Sequence, residues 1–211
     1  IQHPVLIMDV AHGDNASALK YAELLVNMGA LVVSGNIVTP EAARRYWDIG
    51  VRWLRAGVGP GSVCSSRTVA GVGYPQLSAI SNIRQSFPEC VILVDGGIRS
   101  SGDVVKSLAA GADAVILGRL LASAKEALGR RRLNWKLQVI KQFRGMASLE
   151  ALSENNKEPN IEGESIWIRQ GPPVAKIVSS LVSGIRAGFG YLGAKNITEL
   201  RNKSRFVRVT E

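Results

Sequence analysis

The amino-acid sequence predicts a parallel β/α fold, and three observations support this prediction. Short apolar segments alternate with helical ones in units of roughly 25 to 35 residues, the size of strand–turn–helix units. The apolar segments are continuous rather than alternating, as expected for strands buried on both faces. Polar and small residues follow directly behind these segments, at Asp9, Asn36, Cys64, Asp95 and Gly118. A (β/α)8 barrel and an open α/β sheet both place their chemistry at such strand ends.

Five segments have the composition of buried strands. The first is apolar from Pro4 to Val10, and polar and small residues then take over. No Gly-x-Gly-x-x-Gly motif follows it, which argues against a doubly wound dinucleotide-binding sheet. The five predicted strands cover residues 4–10, 31–34, 51–56, 90–94 and 114–117.

Capping residues and glycines mark the predicted helices between these strands. Residues 16–28 carry apolar side chains at helical spacing and are followed by Gly29. Thr39 and Pro40 suit the N-cap and the first position of the next helix. The other predicted helices are 76–87, ended by Pro88, 101–110, ended by Gly111, and a segment from Leu120 onward that runs into the basic cluster 130–132.

Composition indicates one ordinary globular domain. With 211 residues, of which 46% are hydrophobic and 20% charged, the chain can bury a sizeable core. No apolar run has the length of a membrane span and no signal peptide opens the sequence, so we expect no membrane partner. Cys64 and Cys90 are too few for a disulfide framework, which favours a reducing compartment and therefore a cytoplasmic protein.

The chain is basic, with a formal net charge of +9. Its densest cluster is Arg130-Arg131-Arg132, but no nucleic-acid-binding motif or interleaved aromatic residues accompany it. We therefore expect no nucleic-acid partner. A bias toward phosphorylated small molecules, together with a solvated loop, is the favoured interpretation.

The stretch from Gly57 to Arg67 is the most distinctive of the sequence. Three of its first five residues are glycines, which permit backbone conformations closed to other residues and a close approach to a ligand. Cys64 ends the turn, and loop amides and Arg67 provide a setting that favours the nucleophilic thiolate. The alternative is a buried structural cysteine behind a tight turn.

Glycines also follow the last two predicted strands. Asp95-Gly96-Gly97 follows one strand and Gly118 the next. The last strand ends of a barrel often bind phosphate through backbone amides, and glycine removes side chains that would block an anion. The alternative is a pair of ordinary tight turns.

The amino-acid sequences of these loops resemble those of one protein family. Gly-Val-Gly-Pro-Gly-Ser-Val-Cys-Ser-Ser-Arg, followed by Gly-Val-Gly-Tyr-Pro-Gln at 71–76, closely resembles the catalytic loop of the IMP dehydrogenase/GMP reductase family. The resemblance covers essentially the whole chain. It implies a TIM-type (β/α)8 barrel of which 1–211 forms a single partial domain: the last five β/α units, an active-site flap at 147–165, and a C-terminal tail. It places three further units before Ile1, so we expect a fragment, the ordered part of a longer protein, or half of a split enzyme.

The resemblance also implies roles for individual residues. It makes Cys64 the nucleophile, Ser66 a hydroxyl for proton transfer in place of the family's Thr, and Glu162 the acid group against the purine. It implies substrate contacts at Ser62, Asp95, Gly96, Gly97, Gly118, Arg119, Gly145, Met146, Ser148 and Gly163. It implies nicotinamide cofactor contacts at Asp9, Val10, Ala11, Gly57, Val58 and Gly59. It implies a K⁺ site formed by carbonyls of Gly59, Gly61 and Cys64, with Arg67 adjoining. Arg119 stands where the family has a small residue, and can pair with the phosphate or block it.

Three functions remain open from the sequence. The favoured one is a GMP reductase, which converts GMP to IMP with NADPH through a covalent Cys64 adduct. This is preferred because the segment between Met146 and Glu162 lacks the Arg-Tyr pair that resembles a general base in the dehydrogenases. The alternative is an IMP dehydrogenase using NAD, which residues 95–103 resemble. A catalytically silent nucleotide-binding partner is the third. The family is homotetrameric, so we expect the same here.

Overall fold

Five strands form one parallel sheet in sequential order in the computed structural model, which describes residues 4–145, 148 and 164–209. Each strand pairs in parallel with the next along the chain. The strands are β1 (Val5–Ile7), β2 (Leu31–Ile37), β3 (Trp53–Ala56), β4 (Val91–Asp95) and β5 (Ala114–Ile116). The order never reverses, as it would in a doubly wound sheet, and is that of five consecutive units of a (β/α)8 barrel. The predicted fold class is confirmed.

Four helices connect these strands, and their predicted starts are correct. They are α1 (Ala16–Asn27), α2 (Pro40–Asp48), α3 (Gln76–Ser86) and α4 (Ser101–Ala110). The Thr39 side chain accepts a hydrogen bond from the Ala42 N–H, as an N-cap does. Gly111 ends α4 with a φ of 127°, which lies in the region that favours glycine.

The core lies between the sheet and the helices. Tyr46 on α2, Leu54 on β3, Ile80 and Ile83 on α3, and Ile92 on β4 are all fully buried. Burial of each such side chain contributes about 1.5–3 kcal/mol relative to exposure. This layer of side chains fixes the strands, and with them the loops at their carboxyl ends.

The prediction of a long helix from Leu120 into the basic cluster is wrong. Only α5 (Arg119–Ala122) is helical there, and the arginines enter a three-stranded antiparallel sheet. Its strands are β6 (Arg131–Leu133), β7 (Val139–Arg144) and β8 (Ser165–Arg169). Two features end the helical path: Gly129 has a φ of 128°, and Lys141 on β7 donates its ammonium protons to the carbonyls of Ala124 and Ala127. The chain is thereby turned back onto β7.

Two C-terminal helices complete the described chain. They are α6 (Val174–Tyr191) and α7 (Ile197–Lys203), and both pack on α4. Arg201 on α7 donates to Asp113, which also accepts from Arg84 on α3, so this ion-pair cluster ties the tail to the barrel. In the described ranges, no helix is both long enough and apolar enough to cross a membrane.

Candidate active site

A cavity of about 260 Å³ opens at the carboxyl ends of the parallel strands. It brings together residues that are far apart in sequence, including Asp9 after β1, Cys64 after β3 and Asp95 at the end of β4. The residues predicted from the sequence that line it are Asp9, Val10, Ala11, Gly57, Gly59, Gly61, Cys64, Ser66, Asp95, Gly96 and Gly145. Eleven predicted residues therefore meet in one concave site.

Cys64 lies exposed at the mouth of this cavity. Its backbone N–H donates to the Gly61 carbonyl at 3.2 Å, which closes the turn behind it. Its Sγ lies 3.3 Å from Ser66 Oγ, so a hydroxyl that can pass a proton stands beside the sulfur. Ser66 begins a short π-helical turn, Ser66–Ala70, which directs the chain away from the cavity. The arrangement suits a nucleophile and does not suit a packed structural thiol.

A buried arginine organises the cavity floor. Arg55 on β3 donates to Asp9 Oδ1 at 2.8 Å and to Asp95 Oδ2 at 2.6 Å. Burial acts to lower the pKa of Arg55, but the hydrogen bonds and charges of the two carboxylates outweigh it, so the net pKa is raised. The guanidinium therefore stays charged and holds two strand ends at a fixed separation.

Asn36 at the end of β2 completes this network. Its side-chain N–H groups donate to Asp95 Oδ2 at 2.9 Å and to the Gly57 carbonyl at 2.8 Å. No described residue bonds Asp95 Oδ1, which remains available to accept from a ligand hydroxyl. Asn36 Oδ1 is buried without a hydrogen-bond partner and lines the same cavity. An unsatisfied buried acceptor of this kind indicates a ligand that donates.

Arg55 was not predicted as a site residue, and Asn36 was noted only as an unusual residue at a strand end. A signal existed for Arg55, because a guanidinium inside the apolar segment 51–56 must find partners when it is buried. Its partners could not be identified from the sequence, since Asp9 and Asp95 lie 46 and 40 residues away.

Close packing between two loops holds Cys64 near Asp95. Gly96 has a φ of 85°, and a Cβ there would lie 2.9 Å from Pro60 Cγ and 3.1 Å from the Gly61 nitrogen. Any side chain at this position would separate the loops. Gly57 is equally constrained, because its Cβ would lie 2.2 Å from the Asp95 carbonyl oxygen. These glycines keep the Cys64 loop packed against the end of β4, where Asp95 lies.

Several residues predicted to contact the substrate, and Val58, predicted to contact the cofactor, lie outside this cavity. Ser148 is fully buried, and Val58 is buried with its carbonyl accepting from the Tyr74 N–H. Gly118 faces Phe143, whose ring would lie 3.9 Å from a Cβ at that position. The described residues predicted for the site that do not line the cavity are Val58, Ser62, Arg67, Gly97, Gly118, Arg119 and Ser148. Met146, Glu162 and Gly163 lie outside the described residues, as does most of the predicted flap.

Arg67, predicted to adjoin a cation site, packs beside Gly59, one of the residues predicted for that site, and does not line the cavity. Its side chain packs against Gly59 and Gly73 and donates to the Tyr74 carbonyl at 2.8 Å. In this position it braces the loop from 59 to 74. Within the described ranges, no cluster of three or more His, Cys, Asp or Glu side chains could hold a metal ion.

Comparison with known proteins gives one family. The IMP dehydrogenase / GMP reductase domain matches residues 2–211. The chain is 40% identical to the inosine-5'-monophosphate dehydrogenase of Aquifex aeolicus over 220 residues and 38% identical to that of Thermoplasma acidophilum over 216. These alignments cover 98% and 97% of this chain, but only 45% and 44% of the relatives.

A solved structure shows the same similarity in three dimensions. It is a cysteine-to-alanine variant of GMP reductase from Trypanosoma brucei in complex with guanosine 5'-monophosphate. The TM-score is 0.91 at 38% sequence identity, over 98% of this chain and 45% of that one. The chain therefore spans about half the length of the relatives that it matches.

Proposed function

The chain belongs to the IMP dehydrogenase/GMP reductase family of purine nucleotide oxidoreductases, and we propose that it carries out the reductive deamination of GMP to IMP with NADPH. One observation carries this proposal: an exposed thiol and a neighbouring hydroxyl face a cavity whose floor is the Asp95–Arg55–Asn36 network. A thiol in such a position can add to a bound purine. A catalytically silent partner would have no use for it.

The proposed reaction begins with the Cys64 thiolate adding to C2 of the purine, which forms a carbon–sulfur bond. The 2-amino group takes up a proton and leaves as ammonia, so that the carbon–nitrogen bond breaks and a thioimidate remains. Bound NADPH supplies the hydride that C2 receives, and is oxidised as the purine is reduced. The carbon–sulfur bond then breaks, which releases IMP and restores the thiolate. Overall, GMP, NADPH and two protons give IMP, NADP⁺ and ammonium.

Proton transfer in this scheme falls to Ser66 and Glu162. Ser66 Oγ lies 3.3 Å from the sulfur and can relay a proton to the leaving amine. Glu164, two residues after Glu162, donates its N–H to the carbonyl of Val63, next to Cys64. This contact supports the assignment of Glu162 as the proton donor. We expect Glu162→Gln to slow ammonia release far more than it weakens nucleotide binding, as separated by single-turnover kinetics.

Nucleotide contacts are proposed on the same basis. Asp95 Oδ1 suits the ribose hydroxyls, since the other carboxylate oxygen is engaged by Arg55 and Asn36. The 5′-phosphate contacts are proposed for Ser62, Gly96, Gly97, Gly118 and the backbone of Arg119. Purine contacts are proposed for Gly145, Met146, Ser148 and Gly163.

The cofactor and cation sites also remain proposals. Asp9, Val10 and Ala11 line the open side of the cavity beside Gly57 and Gly59, which fits the nicotinamide end of NADPH. Neutral carbonyl oxygens of Gly59, Gly61 and Cys64 would suit a hard monovalent cation such as K⁺.

The reductase is preferred because the sequence lacks the Arg-Tyr pair that resembles a general base in the dehydrogenases. A dehydrogenase must activate water to hydrolyse the thioimidate, and residues 147–161 contain neither Arg nor Tyr. The second candidate is nevertheless an IMP dehydrogenase that uses NAD. The relatives named above at 38–40% identity are dehydrogenases, which favours that reading.

Mass spectrometry of the protein incubated with each nucleotide and cofactor tests this proposal. GMP with NADPH should give a covalent adduct on the protein together with IMP. IMP with NAD should give little XMP. Steady XMP formation at a rate that equals or exceeds IMP formation would establish the dehydrogenase instead, and no adduct with either nucleotide would exclude both.

Two further features belong to this proposal. The thiol must remain reduced to act, so the protein should work in a reducing compartment such as the cytoplasm. A homotetramer is proposed because the family that the sequence resembles is homotetrameric.

A further inference from the structure

A second cavity, of about 380 Å³, lies beside the antiparallel sheet. Three arginines from different elements line it: Arg99 after β4, Arg119 at the start of α5, and Arg169 on β8. The apolar side chains of Ile98, Leu120 and Ile168 form the rest of its wall, apart from one serine. It shares no lining residue with the cavity at Cys64.

The charges of these arginines are not compensated within the described chain. None of the three guanidinium groups donates a hydrogen bond or forms an ion pair there, and no carboxylate lines the cavity. The two acids closest to Arg99 in sequence have other partners: Asp95 accepts from Arg55 and Asn36, and Asp103 accepts from the Arg99 backbone N–H and pairs with Lys106. By contrast, Arg45, Arg55, Arg84 and Arg201 each bond an aspartate.

We propose that this arginine-lined cavity binds an anion that carries two or more linked phosphoryl groups. A guanidinium offers a planar fork of donors that matches phosphate oxygens in pairs, so three of them can bind several oxygens at once. A single phosphate monoester carries about 1.5 to 2 negative charges at neutral pH, fewer than the three positive charges present. Two linked phosphoryl groups come closer to neutralising the site.

The site is distinct from the proposed nucleotide site and does not depend on the reaction at Cys64. The proposed 5′-phosphate contacts are Ser62, Gly96, Gly97, Gly118 and the backbone of Arg119, whereas the arginine-lined cavity is formed in part by Ile98 and the side chain of Arg119. Two anions would therefore be neighbours without sharing side chains. The Arg119 side chain, which replaces a small residue of the family, belongs to the second cavity.

Calorimetric titration of the full chain with sodium pyrophosphate at low ionic strength tests this. Saturable binding is expected, and it should weaken as sodium chloride is added, since the contacts are ionic. Arg99→Ala, Arg119→Ala and Arg169→Ala should each raise Kd at least about tenfold. Arg169→Lys should fall between wild type and Arg169→Ala, because the charge remains and the fork is lost. Arg186→Ala, which removes an exposed arginine of α6 outside the cavity, should leave Kd unchanged.

Three outcomes would overturn the proposal. One is the absence of saturable pyrophosphate binding. Another is a loss of affinity in Arg186→Ala equal to that in the cavity variants, which would show a non-specific response to net charge. The third is abolition of pyrophosphate binding by saturating GMP, which would make the arginines part of the nucleotide's own phosphate site. Circular dichroism of each variant verifies that it is folded. Cys64→Ala should bind pyrophosphate with the wild-type Kd. The binding test therefore remains valid even if the proposed reaction at Cys64 is wrong.

Discussion

At the residue scale, the fold exposes one of the two cysteines and buries the other. Cys64 is exposed at the cavity, whereas Cys90 is buried and its S–H donates to the Phe87 carbonyl at 3.1 Å. Burial is the main cause that raises the pKa of Cys90. Because only the thiolate reacts, burial and a raised pKa make Cys90 an inert thiol, whereas Cys64 is accessible to reagents.

This difference predicts selective alkylation. Iodoacetamide at mildly alkaline pH should add one group to the native protein, and peptide mass mapping should place it on Cys64. Cys64→Ala should remain unmodified until the protein is unfolded, when Cys90 reacts. Modification of Cys90 in native Cys64→Ala at a rate like that of Cys64 in the wild type would contradict the predicted burial.

Replacing Cys64 should separate nucleotide binding from turnover. Cys64→Ala should bind GMP about as well as the wild type, because Asp95 and the glycine loops are unchanged. Its turnover with NADPH should fall below about 1% of the wild-type rate, since no covalent adduct can form. Equilibrium binding measurements test the affinity for GMP, and steady-state assays test the turnover. A variant that retained more activity than this would show that the reaction does not proceed through Cys64.

How much of the site could be predicted depends on whether its signals are local. The Cys64 loop could be identified because its glycines, cysteine and arginine lie within one short stretch of sequence. The network beneath it could not, because Asn36 and Asp95 are 59 residues apart and meet only when β2 and β4 enter the same sheet. Arg119 shows the same limit, since its neighbours Arg99 and Arg169 come from other elements.

At the element scale, local signals sufficed to predict where the four connecting helices begin. Helix α2 begins as predicted because Thr39 and Pro40 act on the backbone directly beside them. The antiparallel sheet was missed because β6 is only three residues long, and Lys141 at a buried position of β7 breaks the expected apolar pattern. That lysine is accommodated because two carbonyls of the segment after α5 accept from it, a contact that no local pattern reveals.

The start of α4 allows a test of capping. Ser100 accepts from the Asp103 N–H, and Asp103 Oδ2 accepts from the Arg99 N–H and Ser100 Oγ at 3.0 Å each. Burial acts to raise the pKa of Asp103, but bonds from Lys106, the Arg99 N–H and Ser100 outweigh it and lower the pKa below 3.8. The stabilisation is therefore complete above the unfolded pKa and is lost as the pH falls through the folded one.

Asp103→Asn should lower the free energy of unfolding at pH 7 by about 0.5–1 kcal/mol. The difference from wild type should shrink as the pH falls below 3.8, the ordinary value for aspartate, and through the lower pKa of the folded carboxylate. Urea unfolding at a series of pH values measures it. Glu23→Gln, an exposed substitution on α1, serves as the control and should have little effect. A difference that stayed constant down to pH 3 would rule out the charge as its cause.

At the scale of the whole molecule, the parallel sheet ends in two edges. No described strand pairs with the outer side of β1 or of β5. The β1 edge is apolar, with Val5 60% and Ile7 64% exposed. Open edges of this kind are sites of strand pairing and association, because their N–H and C=O groups lack partners. The described part of the chain therefore forms one wall of a (β/α)8 barrel, with the Cys64 cavity at the carboxyl ends of its strands.

This exposed edge predicts that residues 1–211, prepared as a separate polypeptide, associate with other copies through β1. Sedimentation velocity at micromolar concentration should show an assembly larger than the monomer, and the proposed tetramer is its expected end point. Ile7→Lys places a charge on the edge and should shift the distribution toward monomer, because burying an unpaired ammonium opposes association. Leu137→Lys is the matched control: it adds the same charge at a site that is 79% exposed on the turn between β6 and β7, and should leave the distribution unchanged.

A wild-type chain that sediments as a stable monomer would contradict the prediction. Equal effects of both variants would show that net charge, and not the β1 edge, controls assembly.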